Sequence, residues 1–188
     1  MSDLHRANTS SDQLVLEPAE ESDHPAVVAL VNRAYRGQDR GAVSWNVETG
    51  LVEGERTTLE LLRADLAGKP HARLLVYRDP EAGLLANVWL EPLGAGVWHL
   101  GLLAVSPDRQ DGGLGRRMLE ACEAFVRAEG GTRVAMSVLS AREALIAWYE
   151  RRGYGRTGET EPFPYGDDRF GRPLRQDLRF VHLDKALT

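Results

Sequence analysis

The chain has 188 residues, 43% hydrophobic and 27% charged, an ordinary composition for one soluble folded domain that excludes a disordered or fibrous chain. Its formal net charge of -5 argues against broad binding to nucleic-acid phosphates, and its single cysteine, Cys122, excludes an internal disulfide or a CxxC metal site. The polar start has no signal-peptide core and no apolar run reaches membrane length, so a cytoplasmic protein without membrane partners is expected.

Residues 1–13 read as a flexible arm, and residues 14–188 as one domain. Leu14 to Leu16 predict a short first strand. Ser22 or Asp23 then caps a helix with Pro25 in its first turn and Val27, Val28, Leu30 and Val31 along its body, ending near Gly37. The glycine-punctuated stretch from Gly37 to Arg56, with Trp45 at its centre, predicts an ordered loop, and a second helix follows around Thr58 to Leu66. Apolar segments at Leu74 to Tyr77, Leu84 to Leu90 and Val97 to Val105, separated by Asp79-Pro80 and by Pro92 to Gly96, predict consecutive antiparallel strands. After Pro107 the period changes. Leu114, Met118, Ala121, Cys122 and Phe125 recur at helical spacing, and Gly130-Gly131 supplies the stop. Val134, Met136 and Val138 predict a strand, Ala141 to Arg152 a helix, and two more strands flank the Pro- and Gly-rich segment Glu161 to Pro173.

Chemistry concentrates where the strand ending in Leu103, Ala104 and Val105 runs through a glycine-rich turn into the long amphipathic helix. A helix start leaves backbone N–H groups unpaired and carries partial positive charge, so Gly112, Gly113, Leu114, Gly115 and Arg116 can converge on a phosphate. A Walker loop and a dinucleotide fingerprint both fail here, the first for want of Gly-Lys-Ser/Thr and the second because Met118 occupies the third glycine position. Gln110, Gly113 and Gly115 match Q/R-x-x-G-x-G/A, and in this the segment resembles the central motif of the GNAT N-acetyltransferases.

That resemblance implies a mixed α/β (α+β) fold: one domain with a central, mostly antiparallel twisted sheet of about six to seven strands, splayed at the acetyl-CoA site and flanked by about four helices. It implies acetyl-CoA as cosubstrate, its pyrophosphate on residues 110–116 and its pantetheine arm beside Leu103, Ala104 and Val105. Asp111 stands where many relatives carry a neutral or basic residue, and Arg109, Arg116 and Arg117 are near enough in sequence to offset it. The later segment ALIAWYERRGYG is similar to the family's tyrosine helix, with Tyr149, Gly153 and Tyr154 in the motif positions. By that likeness Tyr149 donates a proton to the departing sulfur, a role that suits a phenol with an ordinary pKa of about 10. Arg142 stands seven residues earlier, where the family often has an asparagine that contacts the pantetheine arm.

The acceptor side is less explicit. Glu91 and His99 are the candidate bases, and the five histidines show no metal-ligand spacing, so no metal is expected. The segments AYRG (34–37), GERT (54–57) and PFPYGDDRF (162–170) resemble those of a bacterial GNAT subgroup with AYRG, GxRT and PFPYGD, and a charged, aromatic pocket suits a small polar primary amine. Rival expectations are a non-catalytic acyl-CoA sensor and a protein lysine or amino-terminal acetyltransferase; a homodimer is compatible with all of them.

Overall fold

In the computed structural model, residues 14–37, 48 and 50–188 are described, with the side chains of Gln110, Asp111 and Asp168 excepted. The expected arm at residues 1–13 and Trp45 lie outside the described residues. The first strand, β1 (Glu17–Pro18), starts just beyond the apolar triplet expected to form it, because Leu14 turns into the core while Val15 is 70% exposed. The first of the early helices is not capped by the Asp23 side chain, which accepts instead from the Glu20 N–H and from Arg78, while its proline and glycine signals and the cap of the second helix hold. Helix α1 (His24–Arg36) carries Pro25 in its first turn and ends on Gly37 in the left-handed region. After the two-residue strand β2 (Val52–Glu53) comes α2 (Leu59–Gly68), whose N-cap Thr58 accepts the Leu61 N–H at 3.2 Å.

The three apolar segments become β3 (Arg73–Asp79), β4 (Gly83–Gly94) and β5 (Val97–Val105), each antiparallel to the one before it. Pro92 was expected to interrupt the chain, yet β4 runs through it and absorbs it at a register shift between Pro92 and Gly94. Then follow α3 (Leu114–Ala128), β6 (Arg133–Leu139), α4 (Glu143–Glu150), β7 (Gly155–Pro162), β8 (Arg172–Pro173) and β9 (Arg179–Ala186). The sheet order is β1-β3-β4-β5-β6-β9-β7, seven strands, antiparallel except for β5 beside β6. A separate pair, β2 with β8, ties the middle of the loop before α2 to the carboxy-terminal segment.

Alternation along the strands divides the core between two sheet faces. Leu74, Val76 and Ala104 pack with Val27, Leu30 and Val31 of α1 and Leu62 of α2. Leu75, Val88, Leu100, Leu103 and Val105 pack on the other face with Leu114, Met118 and Cys122 of α3 and Ile146 and Tyr149 of α4. Cys122 is fully buried, and burial raises its thiol pKa, so it behaves as a small core hydrophobe. A smaller cluster of Val52, Leu139, Phe163 and Leu178 roots the β2–β8 pair against the end of β6. Among the described residues no helix is long and apolar enough to cross a membrane, and no group of three or more His, Cys, Asp or Glu side chains could hold a metal ion.

Candidate active site

Strands β5 and β6 pair only at Val97, Trp98 and His99 with Arg133, Val134 and Ala135. Beyond that point they separate, and the gap becomes a cavity of about 470 Å³ lined by Leu100 to Leu103 on one side and Met136 to Leu139 on the other. A bulge helps to part them. The pairing of β4 with β5 steps from Asn87–Ala104 to Trp89–Gly101, which gives β5 one extra residue, and Leu102 takes up the strain with φ +48°. Fully buried Asn87 holds the bulge by donating its amide to the Leu102 carbonyl at 2.7 Å.

Downstream of the same strand, Pro107 to Gly112 form a short 3-10 turn, and Gly113 starts α3 with φ +70°, a conformation that side-chain-bearing residues rarely adopt. The Arg117 N–H donates to the Gly113 carbonyl at 3.1 Å, so the amides of Leu114, Gly115 and Arg116 come before the first donor of the helical ladder and have no capping side chain. A Cβ on Gly112 or Gly113 would meet nothing within 4 Å. An open turn with converging donors at the positive end of a 15-residue helix fits a diphosphate.

Tyr149 reaches the cavity from α4. It is 5% exposed, its ring lies edge-on to Trp148 at 5.0 Å and to Tyr154 at 5.7 Å, and its hydroxyl has no hydrogen-bond partner among the described residues. Burial pushes the phenol well above its ordinary pKa, so the group is a proton donor throughout the working pH range. Tyr154 is turned away, its hydroxyl donating to the buried Glu123 at 3.2 Å, which Lys185 also engages at 2.7 and 2.8 Å.

The far wall is assembled from distant pieces of sequence. Asn32 of α1 accepts the Arg56 and Thr57 N–H groups at 2.6 and 3.2 Å and donates to the Thr57 carbonyl at 2.9 Å, clamping the GERT segment. Arg36 donates to the Gly54 and Phe170 carbonyls at 2.9 and 3.1 Å and pairs with Glu48. Glu48 is itself buried and lies 3.7 Å from Arg142, so two buried guanidiniums share one carboxylate at the cavity. Gly171 closes this junction with φ +83°, and a Cβ there would stand 2.6 Å from the Glu53 carbonyl oxygen and 2.9 Å from Val52. Gly171→Ala is therefore expected to lower stability by about 1–3 kcal/mol in urea unfolding, through overpacking against backbone in a left-handed conformation.

His99 and Glu91 face each other across β4 and β5. Glu91 is occupied: burial acts to raise its pKa, but bonds from Lys69 at 2.7 Å and Trp89 Nε1 at 3.3 Å outweigh it and hold the carboxylate ionised. His99 is different. Burial pulls its pKa below the ordinary imidazole value, against the opposing pull of Glu91, which leaves a neutral ring on the cavity wall near pH 7.

Comparison with known proteins agrees with this geometry. Residues 40–154 match the acetyltransferase (GNAT) family. The chain belongs to that family. It is 30% identical over 134 residues to a mycothiol acetyltransferase from Saccharopolyspora erythraea, covering 71% of this chain and 41% of that protein. A mycothiol acetyltransferase from Beutenbergia cavernae is 33% identical over 85 residues, 45% of this chain and 29% of that one. The chain thus spans well under half the length of these curated relatives. The solved ribosomal-protein-S18-alanine N-acetyltransferase from Escherichia coli superposes with a TM-score of 0.64 at 19% identity, over 93% of this chain and 94% of that one. A ribosomal-protein-alanine N-acetyltransferase from Brucella melitensis gives 0.64 at 21% identity, over 93% and 100%. At these identities the solved structures establish a shared fold.

As a GNAT protein the chain brings Leu103 and Tyr149 to one cavity, while Gly112 to Arg116 start the helix that follows the same strand. Ala104 packs instead toward α1 and α2, so only its backbone is directed along the strand's edge. The side chains of Gln110 and Asp111 lie outside those described. Arg142 lines the cavity, and its guanidinium is engaged with Glu48. Asn32, Asp167 and the β2–β8 pair had not been anticipated, and the clustering of AYRG, GERT and PFPYGDDRF around Arg36 was only half visible, as three unconnected motifs.

Proposed function

We propose that the chain is an acetyl-CoA-dependent N-acetyltransferase acting on the primary amine of a small polar molecule, by direct attack within a ternary complex, and that residues 14–188 form a catalytic domain. The observation that carries the reading is that Tyr149 and His99 line the same cavity, which opens where β5 and β6 part. Acetyl-CoA supplies a thioester whose acyl carbon is open to an amine. The amides of Leu114, Gly115 and Arg116 hold its diphosphate, and Leu103 to Val105 flank its pantetheine arm. Arg142 borders that arm at the base of α4. His99 takes the ammonium proton so that the amine lone pair can form the C–N bond. The β5 backbone around the Leu102 bulge stabilises charge on the carbonyl oxygen, Tyr149 donates its proton as the C–S bond breaks, and the nitrogen, cationic once bonded to carbon, returns a proton to the Tyr149 oxygen as the amide forms.

His99 is favoured over Glu91 because it reaches the main cavity, where burial keeps its ring neutral and able to accept a proton, whereas Glu91 is held by Lys69. The single cysteine suits a reducing compartment, which favours the cytoplasm. From the mycothiol acetyltransferases we carry over acetyl transfer and leave the acceptor aside, since the match covers only part of those proteins.

The test is acceptor-dependent thiol release across an amine panel, with His99→Gln beside the wild type. The wild-type kcat/KM should fall as pH drops through the His99 pKa, below the ordinary imidazole value of about 6.5. His99→Gln should lose that acid limb and about 10²-fold in rate at neutral pH. Coenzyme A binding without turnover of any amine would instead favour the sensor.

A further inference from the structure

A second cavity, of about 360 Å³, adjoins the first, and Arg56, His99, Gly101, Leu102, Arg169 and Phe170 line both. This shared wall is where an acceptor entering from the second cavity would meet the splayed strands. The charges around the two cavities are nearly all spoken for. Arg169 forms a fork with Asp167 at 2.6 to 3.0 Å, Arg36 and Arg142 share Glu48, and Lys69 holds Glu91. Of the remaining carboxylates on the two linings, Glu161 is 65% exposed and 3.8 Å from His182, and Asp65 faces Arg169.

Arg56 is the exception. Its backbone is fixed by Asn32, its guanidinium stands 5.5 Å from the centre of the Tyr35 ring, and it has no carboxylate partner among the described residues. A half-buried guanidinium gives up hydration without recovering it from an anion, and its planar fork matches a carboxylate in two parallel hydrogen bonds. His99 and Arg56 border the same space, so an amine at one and a carboxylate at the other can belong to one small molecule.

Resting on the acetyltransferase reading of this site, we propose that the acceptor is a free amino acid, recognised through its carboxylate by Arg56. The same cation disfavours the ammonium form of the bound amine and so eases its deprotonation by His99. Tyr35 holds the guanidinium through a cation–π contact at 5.5 Å, which makes Arg56 a specificity residue of the acceptor pocket.

The experiment is calorimetry of the full chain saturated with coenzyme A, titrated with the twenty common amino acids and the carboxamide of each. At least one free amino acid should bind about 10-fold or more tightly than its carboxamide, as expected for a charge-assisted pair. Arg56→Gln should abolish that preference with coenzyme A affinity unchanged, and Arg56→Lys should retain part of it, keeping the charge but losing the fork. Three results would overturn the proposal: carboxamides binding as well as their acids throughout, no amino acid binding at all, or Arg56→Gln weakening acid and amide alike. Thiol release on the same pairs separates the two readings. Discrimination in binding without any turnover removes the acetyltransferase and upholds carboxylate recognition, whereas turnover that favours carboxamides removes the latter alone.

Discussion

Tyr149→Phe is expected to lower kcat by about 10²–10³-fold while coenzyme A binds as before. The ring is wedged between Trp148 and Tyr154, and phenylalanine keeps both edge contacts. The hydroxyl has no hydrogen-bond partner among the described residues, so its removal strands no buried donor or acceptor, and the fold should be undisturbed. What is lost is the proton that Tyr149 is proposed to deliver to sulfur. Because burial raises the phenol pKa, the wild-type rate should show no basic limb from Tyr149 below pH 10, and any such limb must belong to the acceptor or another group. Single-turnover thiol release, with calorimetry for coenzyme A, reads the two effects separately. An unchanged rate on a good acceptor would take Tyr149 out of the chemistry.

Local features of the donor half could be read from the sequence because they are written in short stretches. The apolar alternation of β3 and β5, the helical period of α3 and the glycine before Leu114 each express a backbone requirement within a few residues. The opening between β5 and β6 is another matter. It depends on where the parallel pairing of two strands stops and on a bulge at Leu102, a leucine that carries no glycine signal for its left-handed φ. The acceptor wall was harder still. Strands of two residues, as in β2 and β8, have no period, and Pro173 within one of them argues locally against a strand at all. Glu48 looked like a loop residue, and nothing in its neighbourhood announces that it is buried beside two arginines from α1 and the start of α4. Such contacts are chosen by the fold as a whole.

That buried triad sets up the largest expected effect on stability. Glu48→Ala should cost about 3–5 kcal/mol, because it strips the buried guanidiniums of Arg36 and Arg142 of the carboxylate they share. Burial already pulls the Arg36 pKa down, with Glu48 the main group opposing it, so the carboxylate is what makes a charged Arg36 tolerable there. Arg36 also holds the Gly54 and Phe170 carbonyls, so its displacement should loosen both segments that wall the acceptor cavity. The turn at Gly113, proposed to hold coenzyme A, lies on another element and should be unaffected. Urea unfolding should therefore show a lower midpoint with an unchanged slope, and kinetics a raised KM for the amine with little change for acetyl-CoA. Adding Arg142→Gln should recover part of the lost stability by removing the surplus cation, giving a coupling energy of about 1–3 kcal/mol. A midpoint that does not move in Glu48→Ala would mean that the two arginines are solvated well enough without their carboxylate, and the acceptor wall would then owe its shape to the β2–β8 pair and the Phe163 cluster.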